Sequence, residues 1–174
     1  MQQPIFAVHP LKPIFSEQSE QLILGSFPSV RSREEHFYYA HPQNRFWRVL
    51  SGIYGCKVPE TDAGREELIR SNRLALWDVL ASCRVSGSAD QSITDAKPND
   101  VKELLRVAPI RKILVNGRTA ERYYNRFLRE TLGIEAICLP STSPANAAWS
   151  IERLTEVWRA ELRREGWLGD IFPK

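Results

Sequence analysis

Cysteine is scarce in this sequence, and the spacing of the few that are present excludes two kinds of site. Cys56, Cys83 and Cys138 are an odd number and lie far apart along 174 residues. They provide neither a disulfide framework nor the ligand set of a zinc or iron–sulfur site, which favours a protein of the reducing cytosol. The sequence also contains no Gly-rich dinucleotide pattern and no Gly-Lys-Ser/Thr motif, so it carries no phosphate-binding fingerprint.

Long apolar runs and a strong net charge are also missing. No run approaches the roughly 20 apolar residues of a membrane span, and no basic N-terminal segment leads into a long apolar run, so we predict neither a membrane helix nor a signal peptide. The net charge of +3 is too small to indicate a nucleic-acid partner by itself. A chain of this length with 43% hydrophobic residues can build one substantial core. We therefore predict a single cytoplasmic domain over residues 1–174, in which residues 1–20 form an N-terminal arm.

Short apolar segments alternate with helical patterns, which predicts an α/β fold with a parallel sheet. The predicted strands are residues 21–25, 74–80, 112–115 and 134–139. Helical patterns occupy residues 44–55, 63–72, 99–107, 118–132 and 150–164, with Asp62, Asn99 and Ser150 as predicted caps. Residues 82–98 are polar and rich in turn formers, so we expect a long loop there.

Two loops built of small residues follow predicted strands, at residues 25–29 and 139–146. Small residues let a bulky ligand approach the backbone closely and leave backbone amides free to bind it. In open parallel sheets, ligands bind outside the carboxyl ends of the strands. Each loop alone is also compatible with an ordinary strand-to-helix turn, but the two together at corresponding strand ends predict a pocket.

Three segments resemble the uracil-DNA glycosylase superfamily. They are GSFPS at residues 25–29, YYAHPQNRFW at 38–47 and LPSTSPAN at 139–146. The similarity is closest to the hypoxanthine-DNA (deoxyinosine) glycosylase branch, and the His-Pro-x-Asn-Arg-Phe-Trp run is shared with the mismatch-specific uracil/thymine branch. The resemblance implies a three-layer α/β/α fold with a central four-stranded parallel sheet and no cofactor. It also implies that a damaged base flips out of double-stranded DNA into the groove between the loops, where its N-glycosidic bond is hydrolysed.

Phe27 stands at the third position of the first loop, where other branches of the superfamily place a catalytic Asn or Asp. Because phenylalanine cannot orient water, we predict that Asn44 is catalytic, with its amide oxygen orienting the attacking water and its amide contacting the base. The alternative is that Asn44 only caps the helix that it begins; both roles can hold only if different atoms serve them. An amide can suffice, because the reaction passes through an oxocarbenium-like sugar that is stabilised mainly by electrostatics.

The resemblance also implies which residues contact the flipped base. The predicted base-binding residues are Gly25, Ser26, Phe27, Pro28, Ser29, Tyr39 and His41. Tyr39 stands where the mismatch-specific branch stacks an aromatic ring on the base; the alternative is a core tyrosine, a role that suits Tyr38 better because neighbours on an extended segment face opposite ways. His41 could bond the base or a phosphate, although a structural hydrogen bond is favoured for a histidine before proline.

Further residues are predicted to contact DNA outside the base pocket. They are Ser32, Arg45, Ser141, Thr142, Ser143, Pro144, Ala145 and Asn146. The loop at 139–146 corresponds to the one that fills the vacated stack, and its hydroxyl groups could bind phosphates. Asn146 could read the opposite strand or cap the segment that follows. Ser32 aligns with a small polar contact, or else is an exposed loop serine.

Several charged residues have no assigned role in this prediction. Arg118, Arg122 and Arg126 share one helix face, which could follow phosphates or simply be solvated. Arg31 and Arg33 lie nearer the expected mouth of the pocket. Asp78 and Asp90 lie near predicted strand ends or loops, where one of them could assist the attacking water, although the sequence gives neither a definite position.

The sequence therefore predicts a monomeric DNA-repair glycosylase that removes hypoxanthine. No lysine stands where a Schiff-base lyase would need one, so we expect no lyase activity. One alternative is a mismatch-specific uracil/thymine glycosylase. An alternative of another class is a module that binds damaged DNA without cutting, since the first loop lacks its usual acid or amide.

Overall fold

The structure is a computed structural model that describes residues 3–86 and 92–162 of the chain. Its strands are β1 (Ile5–Val8), β2 (Gln21–Gly25), β3 (Leu74–Asp78), β4 (Leu80–Val85), β5 (Thr94–Pro98), β6 (Lys112–Asn116) and β7 (Ala136–Leu139). Its helices are α1 (Val30–Glu35), α2 (Phe46–Tyr54), α3 (Asp62–Ser71), α4 (Val101–Val107), α5 (Arg118–Phe127), α6 (Arg129–Leu132) and α7 (Ile151–Leu162).

Four parallel strands form the central sheet, in the order β3-β2-β6-β7. Every residue of β2 is buried, because helices cover both faces of the sheet. Leu22 and Leu24 belong to a core shared with α4 and α5, whereas Ile23 belongs to a second core shared with α2, α3 and α7. This alternation is the period of two that a strand imposes. The predicted three-layer α/β/α fold with a four-stranded parallel sheet is confirmed.

The sequence did not predict a second, antiparallel sheet, which has the order β1-β4-β5. This sheet includes most of residues 82–98, where we expected a loop; within that range, residues 87–91 lie outside the described part of the chain. Strand β5 is mostly exposed, so no alternation of apolar and polar residues marked it. Strand β1, from the predicted N-terminal arm, pairs with β4 so that Ile5 lies opposite Val85.

Two predicted helix caps were wrong. Helix α3 is capped by Thr61, whose hydroxyl accepts a backbone hydrogen bond from the first turn, and not by Asp62. The side-chain amide of Asn99 does not cap α4 but donates to the backbone carbonyls of Asp78 and Leu80. It therefore holds the end of β3 and the start of β4 together, at the edge of the sheet where the two small-residue loops lie.

Other boundaries differ from the predictions by a few residues. The helix expected at 118–132 is divided at Leu128 into α5 and α6, and β7 begins at Ala136. The loop expected at 26–43 contains the short helix α1. Residues 163 and 164, the predicted end of the last helix, lie outside the described residues. None of the helices within residues 3–86 and 92–162 has the length and apolar character needed to cross a membrane.

Candidate active site

The two small-residue loops meet at one edge of the central sheet. The first follows β2 and the second follows β7, with β6 between these strands. A groove of about 1260 Å³ opens at this edge. The predicted site residues that line it are Gly25, Ser26, Phe27, Pro28, Ser29, Ser32, Tyr39, His41, Asn44, Ser141, Thr142, Ser143, Pro144, Ala145 and Asn146. Arg45, also predicted as a DNA contact, is not among the lining residues.

Asn44 lies just before α2, and its carboxamide oxygen is already occupied. Asn44 Oδ1 accepts hydrogen bonds from the backbone N–H of Phe46 and from the hydroxyl of Thr142, both at 3.0 Å. The first bond satisfies the backbone N–H of the first residue of α2, but the N-cap position belongs to Arg45, so Asn44 is not the helix cap that we considered as the alternative. The second bond comes from the opposite loop. The oxygen that we expected to orient the attacking water therefore has two donors already. The Nδ2 group is the part of this amide that can serve a ligand.

Thr142 was predicted to contact a phosphate, but it is fully buried. Its hydroxyl accepts from Asn116 Nδ2 at 3.0 Å and donates to Asn44 Oδ1, while its backbone N–H donates to Asn116 Oδ1 at 3.0 Å. A side chain with no exposed surface and a hydroxyl with both roles filled cannot reach a DNA phosphate. The structure thus corrects this prediction: Thr142 connects the second loop to Asn44.

Arg45 was also expected at the DNA, and the structure directs its guanidinium toward the second loop instead. The group donates to the backbone carbonyls of Thr142, Ser143, Asn146 and Trp149. The backbone N–H of Arg45 also donates to the carbonyl of Thr142, at 3.1 Å. A guanidinium has five N–H donors, and four contacts with loop carbonyls leave little for a phosphate. Arg45 therefore stabilises the conformation of the second loop through its backbone carbonyls.

The remaining residues of the second loop face the groove more openly. The hydroxyls of Ser141 and Ser143 each accept a backbone N–H from within the loop, at 3.1 and 3.2 Å, and keep their own protons for another acceptor. The side-chain amide of Asn146 donates to the carbonyl of Ser141 at 3.0 Å. Gly117, with φ of 95°, lies against Ser141, and a side chain there would collide with it. The exposed tip of the loop is formed by Pro144 and Ala145.

Most of the first loop is buried. Ser29 caps α1, and its hydroxyl accepts from the backbone N–H of Ser32 at 3.2 Å. Ser32 is 2% exposed, and its hydroxyl accepts from Ser29 and from the N–H of Ala40. Ser32 is thus neither an exposed loop serine nor placed to touch DNA; it braces the first loop. Phe27 is 9% exposed and packs edge-on against the ring of His9.

Tyr39 and His41 lie on the segment that connects α1 to α2. Tyr39 has a positive φ of 52°, uncommon for an aromatic residue, and its ring stacks on Phe46 with centroids 4.0 Å apart. It is half-buried and lines the groove, whereas the neighbouring Tyr38 is buried in the core as predicted. His41 is exposed, and its Nδ1 accepts from the backbone N–H of Gln43 at 3.1 Å, which is the structural role that we favoured.

Asp78, one of the side chains that line the groove, is paired with a histidine that the sequence did not connect to it. His9 Nε2 donates to Asp78 Oδ2 at 2.7 Å, and both side chains are nearly buried. His9 Nδ1 accepts from the backbone N–H of Leu11, which places the ring proton on Nε2. Asp78 is paired in register with Gly25 and lines the groove. The one sequence signal was a lone carboxylate closing an apolar strand, but nothing in the sequence connected it to His9, 69 residues away.

Basic residues lie at the rim of the groove. Arg31, Arg33 and Arg118 line it, whereas Arg122 and Arg126 do not; these two lie over the rings of their neighbouring aromatic residues. Of the predicted arginine stripe, only Arg118 thus borders the groove. Asp90 lies outside the described residues.

Two groups near the groove are held in their neutral forms. Burial, reinforced by Asp78 and Tyr39, raises the pKa of Tyr38 far above its usual value, and its hydroxyl donates to the carbonyl of Lys12. Burial also raises the pKa of the Cys138 thiol to about 11, so this groove-lining cysteine is a poor nucleophile at neutral pH. Within the described ranges, no three His, Cys, Asp or Glu side chains come together as a metal site requires.

The chain is similar to known proteins both in sequence and in fold. A family model described as the uracil DNA glycosylase superfamily matches residues 13–162. A protein of Methanosarcina acetivorans named hypoxanthine DNA glycosylase is 36% identical over 152 residues, which cover 86% of this chain and 94% of that protein. One of the same name from Methanosarcina barkeri is 34% identical over 87% of this chain and 96% of its own length. The solution NMR structure of a candidate uracil DNA glycosylase from M. acetivorans is 34% identical, with a TM-score of 0.76 over 91% of this chain and 98% of that one.

Proposed function

This chain belongs to the uracil DNA glycosylase superfamily, as its three motifs predicted, and we propose that it excises hypoxanthine from DNA. The substrate is double-stranded DNA that carries deoxyinosine, and the enzyme hydrolyses the N-glycosidic bond once the base has flipped into the groove. The observation that carries this proposal is the groove itself, which combines an amide donor at Asn44 with a carboxylate acceptor at Asp78. The base flips at low cost, because hypoxanthine opposite thymine pairs poorly.

Asp78 supports a 6-oxopurine as the base. A carboxylate can only accept hydrogen bonds, and hypoxanthine offers an N1–H where adenine has an unprotonated acceptor nitrogen. The carboxylate would therefore attract hypoxanthine and repel the parent adenine. His9 holds one carboxylate oxygen at 2.7 Å, which keeps the group oriented without exposing it to bulk water.

Asn44 supports cleavage as a donor. Glycosidic cleavage leaves negative charge on the departing base and positive charge on the sugar. The Nδ2 group of Asn44 would donate to the departing base, and fixed donors of this kind stabilise developing charge without reorganisation. Tyr39 would stack on the base, and the backbone of Gly25 to Ser29 would surround it, with His41 at the outer edge.

The second loop would hold the DNA at the lesion. The exposed tip at Pro144 and Ala145 would fill the vacated stack, and Ser141 and Ser143 would donate their free hydroxyl protons to phosphates, with Asn146 fixing the turn between them. The described groove is lined by no lysine, which supports hydrolysis without lyase activity. We further propose that residues 1–174 act as one monomeric domain in the cytoplasm, associated with the nucleoid.

The test is base release from defined duplexes. The protein is incubated with oligonucleotides that carry deoxyinosine, uracil or ethenocytosine, and abasic sites are then cleaved with alkali. We expect the strand that carries deoxyinosine to be cleaved, and we expect this cleavage to require the alkali treatment. Faster release of uracil would favour the mismatch-specific alternative. Tight binding with no base release from any duplex would favour a module that binds damaged DNA without cutting it.

A further inference from the structure

A chain of hydrogen bonds connects the end of β6 to Asn44 through the second loop. Asn116 and Thr142 exchange two bonds of 3.0 Å: Asn116 Nδ2 donates to the Thr142 hydroxyl, and the backbone N–H of Thr142 donates to Asn116 Oδ1. The Thr142 hydroxyl then donates to Asn44 Oδ1, also at 3.0 Å. Thr142 is fully buried, so water does not compete for its hydroxyl.

The direction of every bond in this chain is fixed by backbone donors. A backbone N–H can only donate, so the bond from Thr142 identifies the oxygen of Asn116 and leaves its NH₂ to face the hydroxyl. That hydroxyl accepts from Asn116 and so has its single proton free for Asn44. At Asn44 the backbone N–H of Phe46 marks the oxygen in the same way. Two independent donors therefore orient the Asn44 amide.

We propose that Asn116 and Thr142 are positioning residues that hold Asn44 with its NH₂ group toward the groove. Both acceptor positions of the Asn44 oxygen are filled, so the amide acts on the substrate as a donor and not by orienting water. Each donor on the oxygen polarises the carboxamide and strengthens its N–H groups as donors. The catalytic part of this inference rests on the proposed function, whereas the orientation of the amide does not.

Substitutions at Thr142 test the chain of hydrogen bonds from Asn116 to Asn44, here called the relay. Thr142→Val removes the hydroxyl and keeps the shape, and we expect the single-turnover rate on deoxyinosine duplex to fall about 10- to 100-fold, the range for loss of a group that orients a site residue through a hydrogen bond, with DNA binding retained. Thr142→Ser keeps the hydroxyl and should stay within about 3-fold of wild type. Thr155→Val is the matched control, because its hydroxyl bonds Ile151 within α7. Equal losses in the valine and serine variants would overturn the proposal.

Asn116→Asp reverses the direction of the hydrogen bond between residue 116 and the Thr142 hydroxyl, and it keeps the volume of the side chain. A carboxylate at 116 would accept the Thr142 proton, so the hydroxyl could no longer donate to Asn44. We expect the same loss of rate as in Thr142→Val. Asn44→Asp keeps an oxygen but removes the NH₂ donor, and it should be as inactive as Asn44→Ala. An active Asn44→Asp enzyme would show that the side-chain oxygen is the catalytic group and would contradict the proposal.

A measurement independent of catalysis separates this proposal from the function. The Asn44 side-chain amide gives a pair of NMR signals that can be assigned by their loss in Asn44→Ala. These signals should shift in Thr142→Val and Asn116→Asp and stay in place in Thr142→Ser and Thr155→Val. Unmoved signals in the first two variants would refute the relay even if the enzyme is active. Shifted signals in a wild-type protein that releases no base would uphold the positioning and reject the glycosylase function.

Discussion

The carboxylate of Asp78 lies against the α-carbon of Gly25, in the space that any side chain at position 25 would need. The two residues are paired in register on neighbouring parallel strands, and a Cβ added to Gly25 would clash with Asp78 Oδ1 and lie 3.0 Å from the Tyr39 hydroxyl. The glycine that opens the first loop is thus needed for the acceptor that lines the groove, in addition to any role in the turn.

Gly25→Ala should therefore damage the site more than the fold. The added methyl forces Asp78 or Tyr39 to move, and we expect deoxyinosine release to fall at least about 10-fold, since small misplacements of site groups cost that much or more. Release is measured under single-turnover conditions beside the thermal unfolding midpoint. Gly52→Ala is the control, because its new methyl meets only Thr155 on α7. Wild-type rates in Gly25→Ala would mean that Asp78 does not contact the base.

Asp78→Asn tests whether the carboxylate reads the base. The amide oxygen can keep the bond from His9, but an NH₂ group then replaces the acceptor that we assign to the N1–H of hypoxanthine. We expect about a 10- to 100-fold lower rate on deoxyinosine, because an unpaired buried polar group costs about 1–3 kcal/mol. Single-turnover rates on deoxyinosine and on adenine opposite a mismatch give the change in preference. Asp62→Asn, on α3, serves as the control and should leave both rates unchanged.

The central fold could be predicted because its strands are buried on both faces and so are continuous apolar runs, as in Leu22 to Leu24. The antiparallel sheet could not, because β5 is a mostly exposed edge strand whose polar residues resemble a loop. The two small-residue loops were placed correctly in one groove, since the carboxyl ends of parallel strands share one edge of a sheet.

The roles of individual polar residues within the loops were harder to predict. Thr142, Ser32 and Arg45 are of types that commonly contact DNA, and each is instead committed to a partner within the protein. Those partners lie at sequence separations of up to 104 residues, which no local pattern encodes. His9 and Asp78 show the same limit. Nothing in the sequence around His9 indicates that its side chain will contact Asp78 at the end of β3.

Arg45→Lys should loosen the second loop. A lysine carries three donors on one nitrogen and cannot reach four carbonyls spread from Thr142 to Trp149. We expect the free energy of unfolding to fall by about 1.5–3 kcal/mol, the range for hydrogen bonds of a charged group, together with a lower rate of base release. Chemical denaturation gives the first quantity. Arg48→Lys, at an exposed position in the first turn of α2, should change neither quantity. Equal effects in both variants would assign the loss to the start of α2 and not to the loop.

Arg118→Gln tests which part of the arginine stripe meets DNA. The side chain of Arg118 is 88% exposed at the rim of the groove, paired at 2.9 Å with Glu121, and it can turn to a phosphate at little cost. Each phosphate contact contributes about one to the slope of log affinity against log salt concentration. We expect Arg118→Gln to weaken binding to all duplexes alike and to reduce this slope by about one. Arg122→Gln, one turn further along α5 and away from the groove, should leave the slope unchanged. If the two variants lose the same slope, the whole helix face follows the DNA, and the path of the duplex must extend from the groove along α5.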